Sequence, residues 1–515
     1  MSSTTTSTPS HGTPLGADLP AAAGAPGIAP PRHGEKPADS LVKKAIRGGL
    51  WTGGGVVATQ MMAFASNILL SWVLLREHFG VMVLINTIIT GLRMFSDVGI
   101  TPCLIQNPRQ DAAFYNTAWT IQVVRGFVLW LAACLLAWPL SQVQHDWAPL
   151  SLMLPVAALT TVIDGFRSTA YITANRRLQI AKIAAVEFGT AVVRTLVMLF
   201  AVYLPDVLVW LRENHAASWD LIAGPLNLPS SGLPLPVLQT AWSLVAGLLA
   251  GAVFMTLASH FMIREVRNRL HFEKKAFGEL IRYGKWLFLS TVITFFAATT
   301  DRWIIGGILS VSMLGLYGVA MRFAELGPLL FRMVGQWVGF PALSEVYRRD
   351  PENLGKRLLH LRIAVCVPIC LLLLSMILLG PLVTYVCYRG SRDNLVEAGW
   401  IIQVLSVMSL AGTVSSSYGN VYLAIGRTFY NMLTVGGQFV CMTGSALLGY
   451  WLYGESGLIL GLGASQWLKY IVDAVLIDRC GYYQPKFDLL VLTLSAVGAL
   501  LALWGSELIV RTWVL

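Results

Sequence analysis

Charged side chains are scarce in this sequence of 515 residues. Asp, Glu, Lys and Arg make up 12% of it, whereas 55% of the residues are hydrophobic and the mean hydropathy is +0.64. Soluble domains carry about 25% charged residues, so the composition excludes that class and predicts a polytopic membrane protein. The net charge of +10 does not indicate nucleic-acid binding, because the basic residues lie in short loops between apolar segments rather than in one patch.

Several motifs of soluble enzymes are also missing. The sequence has no G-x-x-x-x-G-K-[ST], which argues against an ATP-hydrolysing module in this chain, and no D-x-D. Its seven cysteines lie mostly within apolar segments, so we expect neither a disulfide framework nor a metal site, and no cofactor. Residues 1–40 hold almost no large apolar side chains and are rich in Ser, Thr, Pro, Gly and Ala, which predicts a disordered cytoplasmic tail.

Thirteen apolar segments are long enough to cross a bilayer as helices. We therefore predict an all-α membrane protein with about 12–14 transmembrane helices. The segments lie near residues 48–75, 80–105, 113–138, 149–172, 182–205, 238–262, 286–309, 314–340, 359–385, 396–424, 428–452, 456–477 and 487–510. With a cytoplasmic N-terminus, 24 lysines and arginines fall in cytoplasmic segments and five in external ones, which predicts that orientation.

Two parts of the chain are related by an internal repeat. Arg47, Gly49, Trp51, Leu74 and Gly80 match, at a constant offset of 235, Arg282, Gly284, Trp286, Leu309 and Gly315. Six crossings are an even number, so both halves begin on the same side and form a parallel repeat, with a substrate site expected between them. The predicted domains are an N-terminal bundle, a basic cytoplasmic linker, a C-terminal bundle and an extra transmembrane helix, at residues 41–263, 264–285, 286–480 and 486–515.

At least seven arginines lie inside the apolar segments. They are Arg93, Arg125, Arg167, Arg194, Arg302, Arg322 and Arg332. An arginine in the centre of a bilayer costs about 2.5–3.5 kcal/mol on insertion scales, so several of them are expected to line a wet cavity that attracts anions. Because the planar guanidinium donates two parallel hydrogen bonds to phosphoryl oxygens, a diphosphate is a suitable guest.

Helical spacing suggests partners for some of these arginines. Arg93 with Asp97, and Arg322 with Glu325, are spaced as ion pairs that either tie helices together or face a ligand. Arg125 and Arg332 have no acidic residue at such a spacing. They are therefore the stronger candidates for contact with the ligand.

The candidate substrate-binding residues are accordingly Arg93, Arg125, Arg167, Arg194, Arg322 and Arg332. Three carboxylates are candidates for ion coupling or plain charge balance, namely Asp97, Glu187 and Glu325. Arg302 lies toward the outer end of its segment, where a structural role is expected. Lys469 and Asp473, at an i, i+4 spacing, are interpreted as a structural pair.

Four patches resemble the polysaccharide transporter branch of the multidrug, oligosaccharidyl-lipid and polysaccharide exporter superfamily. They read LVKKAIRGGLWTGGG, LREHFG, FSDVGITPCLIQNP and TTDRWIIGGILSVSMLGLYGVAMRFAEL. The resemblance runs from about residue 41 to the end of the sequence. It implies two six-helix bundles that alternate between inward and outward access in a bacterial inner membrane.

The cargo that this resemblance implies is an undecaprenyl-diphosphate-linked oligosaccharide, flipped between leaflets for exopolysaccharide, capsule or O-antigen. Membrane lipid, a polysaccharide polymerase and a chain-length regulator are the other implied partners. Two alternatives stay open: an ion-coupled multidrug exporter of the same superfamily, and a membrane-embedded polymerase or glycosyltransferase. The second would use the long external loop near 206–240, which contains Arg212, Glu213, His215 and Asp220.

Overall fold

The computed structural model describes most of the chain. The described residues are 38–96, 104, 111–176, 180–214, 240–262, 268–335, 339–388 and 397–513, a few of them by their backbone alone. Contacts divide the chain into units 1–47 and 48–515. The first unit is described only over residues 38–47, which are helical. All packing discussed below lies within the second unit.

Helices make up all of the regular secondary structure in the described ranges. In chain order they are α1 Ala38–Ser71, α2 Arg76–Phe95, α3 Ala112–Ser141, α4 Leu150–Gly165, α5 Ala170–Arg176, α6 Ile180–Asn214, α7 Ala241–Phe261, α8 Lys274–Ile308, α9 Val311–Ala324, α10 Leu326–Val334, α11 Phe340–Arg349, α12 Leu354–Tyr388, α13 Ala398–Ser416, α14 Gly419–Ala424, α15 Thr428–Asp478 and α16 Pro485–Trp513. Single 3₁₀ turns lie at His145–Trp147 and Pro351–Asn353.

The chain is an all-α, multi-pass membrane protein. Eight helices in the described part are long and apolar enough to span a bilayer, and three shorter apolar helices accompany them. Each of the thirteen predicted segments contains helix, since α15 is broken at Tyr453 and Gly454 into two arms. Gly454 has φ +63°, which a residue with a side chain rarely adopts. The arms then fold back so closely that a Cβ on Gly449 would lie 2.1 Å from the carbonyl oxygen of Gly457.

Helices α2 and α9 cross at two glycines that are equivalent in the repeat. A Cβ on Gly80 would lie 1.9 Å from the carbonyl oxygen of Val311, and one on Gly315 would lie 1.9 Å from that of Arg76. At the offset of 235, Arg76 corresponds to Val311 and Gly80 to Gly315. The contact is therefore reciprocal, as a two-fold axis between two repeats requires. Only glycine permits backbones to approach this closely.

Apolar side chains around this crossing form the largest core cluster. It joins α2, α4, α9 and α13, with Leu84, Leu314 and Ile401 each fully buried. At the other end of α2 the ring of Phe95 packs against Phe295 of α8 with centroids 4.8 Å apart. Thus α2 contacts helices of the second repeat at both of its ends.

Arg362 is a buried cation that the sequence analysis did not single out. It lies within α12 and is 1% exposed. Its guanidinium pairs with Asp488 at the start of α16 over 2.5 Å. The arginine was missed because it stands at the edge of the apolar segment and its acidic partner is 126 residues away.

Candidate functional site

A cavity of about 260 Å³ lies between α1, α2, α6, α7 and α9. Two of the predicted substrate-binding arginines line it, Arg194 of α6 and Arg322 of α9, together with the carboxylate Glu187. Asn67, Asn86 and Thr190 add neutral polar groups to the wall. Two guanidinium groups against one carboxylate leave a net positive charge in this cavity, which we name the cationic cavity.

Neither arginine of the cationic cavity has a salt-bridge partner among the described residues. Arg194 and Arg322 form no salt bridge there and donate no side-chain hydrogen bond. The stem of Arg194 packs against α7, where a Cβ on Gly251 would lie 3.3 Å from the arginine Cβ. This packing holds the guanidinium at the cavity while its donors stay available, and an unpaired cation in a membrane interior is a functional candidate.

Glu187 connects the cationic cavity with a third predicted arginine. The hydroxyl of Tyr171 donates to Glu187 Oε1 over 2.7 Å. The guanidinium of Arg167 lies 5.4 Å from the centroid of the Tyr171 ring, within the range of a cation–π contact. Arg167 is therefore connected to the cavity wall through Tyr171, and it does not line the cavity itself. Its contact with a substrate stays a prediction.

Arg93 and Arg125 meet in a separate cluster between α2, α3 and α4. Arg93 pairs with Asp164 over 2.7 Å and donates to Thr160 Oγ1. Arg125 donates to Ser96 Oγ over 2.8 Å and to the carbonyl oxygen of Arg93 over 2.5 Å. Neither side chain lines the cationic cavity. Their contact with a ligand stays a prediction.

Glu325 has a different partner from the one expected. The spacing on α9 suggested Arg322, but Glu325 pairs with Arg302 of α8 over 3.6 Å, so that expected pairing is wrong. Glu325 caps the end of α9, where the chain leaves the helix and the carboxylate turns toward α8. Two other predicted residues lie outside what the structure describes: Asp97 entirely, and Arg332 in its side chain.

A second cavity of about 600 Å³ lies on the other side of α2 and α9. Arg302 and Glu325 line it, so Arg302 faces a cavity, where the sequence predicted only a structural role. The repeat could have indicated that Arg302 faces a cavity, because its equivalent at the offset of 235 is Asn67, which lines the cationic cavity. Thr90 of α2 lines the second cavity, whereas Asn86, one turn earlier, lines the first.

Lys469 and Asp473 form the predicted i, i+4 ion pair, with Nζ and Oδ2 2.7 Å apart. Both are buried, and Lys469 also donates to Ser415 Oγ over 2.8 Å. A buried acid that the sequence analysis did not single out is Asp301 of α8. It accepts a 2.6 Å hydrogen bond from the hydroxyl of Tyr317. Both carboxylates support packing in the second half of the repeat.

Known proteins resemble this chain in sequence or in fold. The lipopolysaccharide biosynthesis protein WzxC of Escherichia coli (strain K12) is 21% identical over 424 residues, which cover 79% of this chain and 78% of the relative. The lipid II flippase MurJ in an inward closed conformation superposes with a TM-score of 0.61 at 11% identity, over 90% of this chain and 100% of that one. An inward-facing multidrug resistance MATE transporter of the MOP superfamily gives a TM-score of 0.57 at 14% identity, over 81% and 92% of the two chains.

These solved structures are only 11% and 14% identical to this chain, so they show its fold and nothing more. The resemblance to the polysaccharide transporter branch, first noted in four patches, is confirmed over much more of the chain. Residues 69–208 and 232–388, more than half of the sequence, match the model of one family, described as polysaccharide biosynthesis protein. The chain belongs to the polysaccharide biosynthesis protein family.

Proposed function

We propose that this protein is a flippase for an undecaprenyl-diphosphate-linked oligosaccharide. It would move this repeat unit from the cytoplasmic to the external leaflet of a bacterial inner membrane, for exopolysaccharide, capsule or O-antigen synthesis. The family and the name of the relative WzxC support a role in polysaccharide synthesis. The fold, shared with a lipid flippase and a drug exporter, supports transport rather than bond making.

The observation that carries the proposal is the unpaired charge of the cationic cavity. Arg194 and Arg322 line one cavity without an acidic partner among the described residues, and Glu187 balances only one of the two charges. Two like charges in one enclosed space repel each other, so the two guanidinium groups destabilise each other in this cavity. A diphosphate bound between the two guanidinium groups would remove this repulsion and receive charge-assisted hydrogen bonds.

The proposed mechanism lowers the barrier to crossing hydrocarbon. A charged diphosphate leaving water loses its hydration, and the fixed donors of Arg194, Arg322 and Asn86 would replace part of it. The polyprenyl tail stays in the bilayer while the halves alternate their access. Each negative charge that moves outward across an inside-negative membrane gains about 2.3 kcal/mol per 100 mV. Coupling of flipping to protons or sodium through Glu187, Glu325 or Asp97 is a separate prediction.

A reconstituted flipping assay tests the proposal. The full chain in proteoliposomes should carry a fluorescent undecaprenyl-diphosphate-linked trisaccharide between leaflets, as measured by quenching from one side. Arg194→Gln and Arg322→Gln each remove one charge while keeping a polar side chain. We expect each to slow flipping by about tenfold to a hundredfold, because a charge-assisted hydrogen bond contributes about 1.5–3 kcal/mol.

The matched control is Arg511→Gln on α16. Arg511 is 72% exposed and contacts Glu507 only at 4.0 Å, so its loss removes the same charge far from the cavity. The control should flip at the rate of the unaltered protein. Unchanged flipping in both cavity variants would refute the cationic site. Formation of new glycosidic bonds by the purified protein would favour a polymerase or transferase instead.

A further inference from the structure

The second cavity has a different chemistry from the cationic one. It lies between α2, α8, α9, α13, α14 and the two arms of α15, and it shares the α2 and α9 wall with the cationic cavity. Its volume of about 600 Å³ falls within the 300–1,000 Å³ that is usual for ligand sites. The two cavities are therefore neighbours on either side of α2 and α9.

Four amide side chains line this second cavity. They are Asn420 of α14, Asn431 and Gln438 of the first arm of α15, and Gln466 of its second arm. All four are half-buried, and none makes a side-chain hydrogen bond anywhere in the described part of the chain. Asn431 and Gln438 are seven residues apart, which places both on one face of the arm. Because each amide offers two donors and an acceptor, this wall has an unused capacity for hydrogen bonds.

Among the described residues, the charges that line the second cavity cancel. Arg302 and Glu325 pair with each other over 3.6 Å, so this part of the lining does not attract ions of one sign as the cationic cavity does. Glu325 is the one carboxylate in the described lining, and Arg302 is already beside it. An organic cation would find no unpaired carboxylate. A hydrocarbon chain would leave the amides without partners, which is unfavourable.

Apolar and hydroxyl groups complete the lining. Leu405, Met408 and Phe331 present apolar surface, while Ser409, Thr413 and Ser416 lie along one face of α13. A pyranose has hydroxyl groups around its rim and C–H groups on its faces. Amides and hydroxyls suit the rim, and the apolar side chains suit the faces.

We propose that the second cavity, which we name the amide cavity, binds the sugar residues of the cargo next to its diphosphate. This inference rests on the proposed function, because the cationic cavity has to hold the diphosphate for the sugars to reach the amides. The repeat places Asn67 of the first cavity and Arg302 of the second at equivalent positions.

Binding of two kinds of lipid separates the two cavities. Radiolabelled undecaprenyl diphosphate is compared with undecaprenyl-diphosphate-linked trisaccharides of glucose, galactose or N-acetylglucosamine, on the immobilised full chain in detergent. The unaltered protein should bind at least one trisaccharide lipid about tenfold more tightly than the bare lipid, since each hydrogen bond adds a modest amount. In the double variant Gln438→Met, Gln466→Met the preference should fall to within about twofold, with binding of the bare lipid unchanged.

Methionine keeps the length of glutamine and removes its hydrogen bonds. Unchanged binding of the bare lipid shows that the variant is folded. Gln142→Met, an exposed glutamine just after α3, is the matched control and should keep the full preference. Asn431→Leu provides an independent test of the same wall. A double variant that keeps the preference, or an unaltered protein that prefers none of the three trisaccharide lipids, would overturn the amide cavity. Absence of binding to every lipid would instead refute the proposed function.

Discussion

The buried ion pair between α12 and α16 allows a prediction of stability. Arg362 and Asp488 are 1% and 0% exposed, and the guanidinium donates to Asp488 Oδ1 over 2.5 Å. Tyr418 and Tyr470 donate their hydroxyls to the other carboxylate oxygen, over 2.7 and 2.9 Å. Asp488→Leu removes the acceptor of all three groups at once. The guanidinium is then left charged in a dry interior, 4.1 Å from the centroid of the Tyr418 ring.

Removing one partner of a buried ion pair costs about 3–5 kcal/mol, because the other charge stays buried without compensation. We expect Asp488→Leu to lower the free energy of unfolding by this amount. The double variant Asp488→Leu, Arg362→Met should recover part of the loss, since replacing both partners by apolar groups is often neutral. The two tyrosine hydroxyls would then account for the remaining deficit, at about 1–3 kcal/mol for each one left unsatisfied.

Unfolding of the purified protein with sodium dodecyl sulfate in mixed micelles measures these differences. Glu507→Leu is the matched control, because it removes a carboxylate from the same helix whose partner Arg511 is 4.0 Å away and equally exposed. This control should change the free energy of unfolding by no more than about 1 kcal/mol. A loss below about 1 kcal/mol for Asp488→Leu, or an equal loss in the double variant, would refute the proposed compensation.

Two further variants test other contacts by the same unfolding measurement. Gly315→Ala places a Cβ 1.9 Å from the carbonyl oxygen of Arg76, so we expect a loss of about 1–3 kcal/mol. Gly307→Ala, which meets open space, should lose less than about 1 kcal/mol, and equal losses would contradict the close crossing. Asp164→Asn leaves Arg93 without its partner at 2.7 Å, but because the side chains are 42% and 24% exposed we expect a smaller loss than for Asp488→Leu. A loss as large as that one would show that water does not reach this pair.

The helices could be predicted because their signal is local. A bilayer demands about 20 apolar residues for each crossing, and every segment identified on that basis contains helix. The helix boundaries were predicted less accurately where the end of a helix depends on a residue distant in the sequence. The segment predicted at 149–172 stops at Gly165, and Ser168 beyond it donates to Asn268 Oδ1 over 2.7 Å. That partner is 100 residues away, so no local pattern contains it.

The cavities were only partly predictable for the same reason. The sequence singled out Arg194 and Arg322 because a charge within an apolar segment is visible there, and the structure brings both to one cavity. Their contact with an anion stays a prediction. Spacing could not show that Glu325 turns to α8, because the pairing joins two helices. The amides of the second cavity gave no signal either, as Asn and Gln are ordinary residues until a fold brings them to one wall.

The two halves of the repeat are joined by polar bonds at the end of the bundle where α2 begins. Arg76 pairs with Glu397 over 3.2 Å, and Trp147 donates to the carbonyl oxygen of Gly306 over 3.1 Å. The hydroxyl of Tyr388 donates to Asn67 Oδ1 over 2.9 Å. If the N-terminus is cytoplasmic, as the lysine and arginine bias predicts, this end faces outward. Alternating access then requires these bonds and the glycine crossing to open together.

A substrate can shift such an equilibrium only by as much as its affinities for the two states differ. Helix α9 carries both Gly315 of the crossing and Arg322 of the cationic cavity, seven residues apart. Helix α2 likewise carries both Gly80 and Asn86. Under the proposed function, a diphosphate bound by Arg322 would act directly on a helix of the glycine crossing. The proposed binding charge and this crossing lie on the same two helices, so binding and opening would be coupled without an intermediate element.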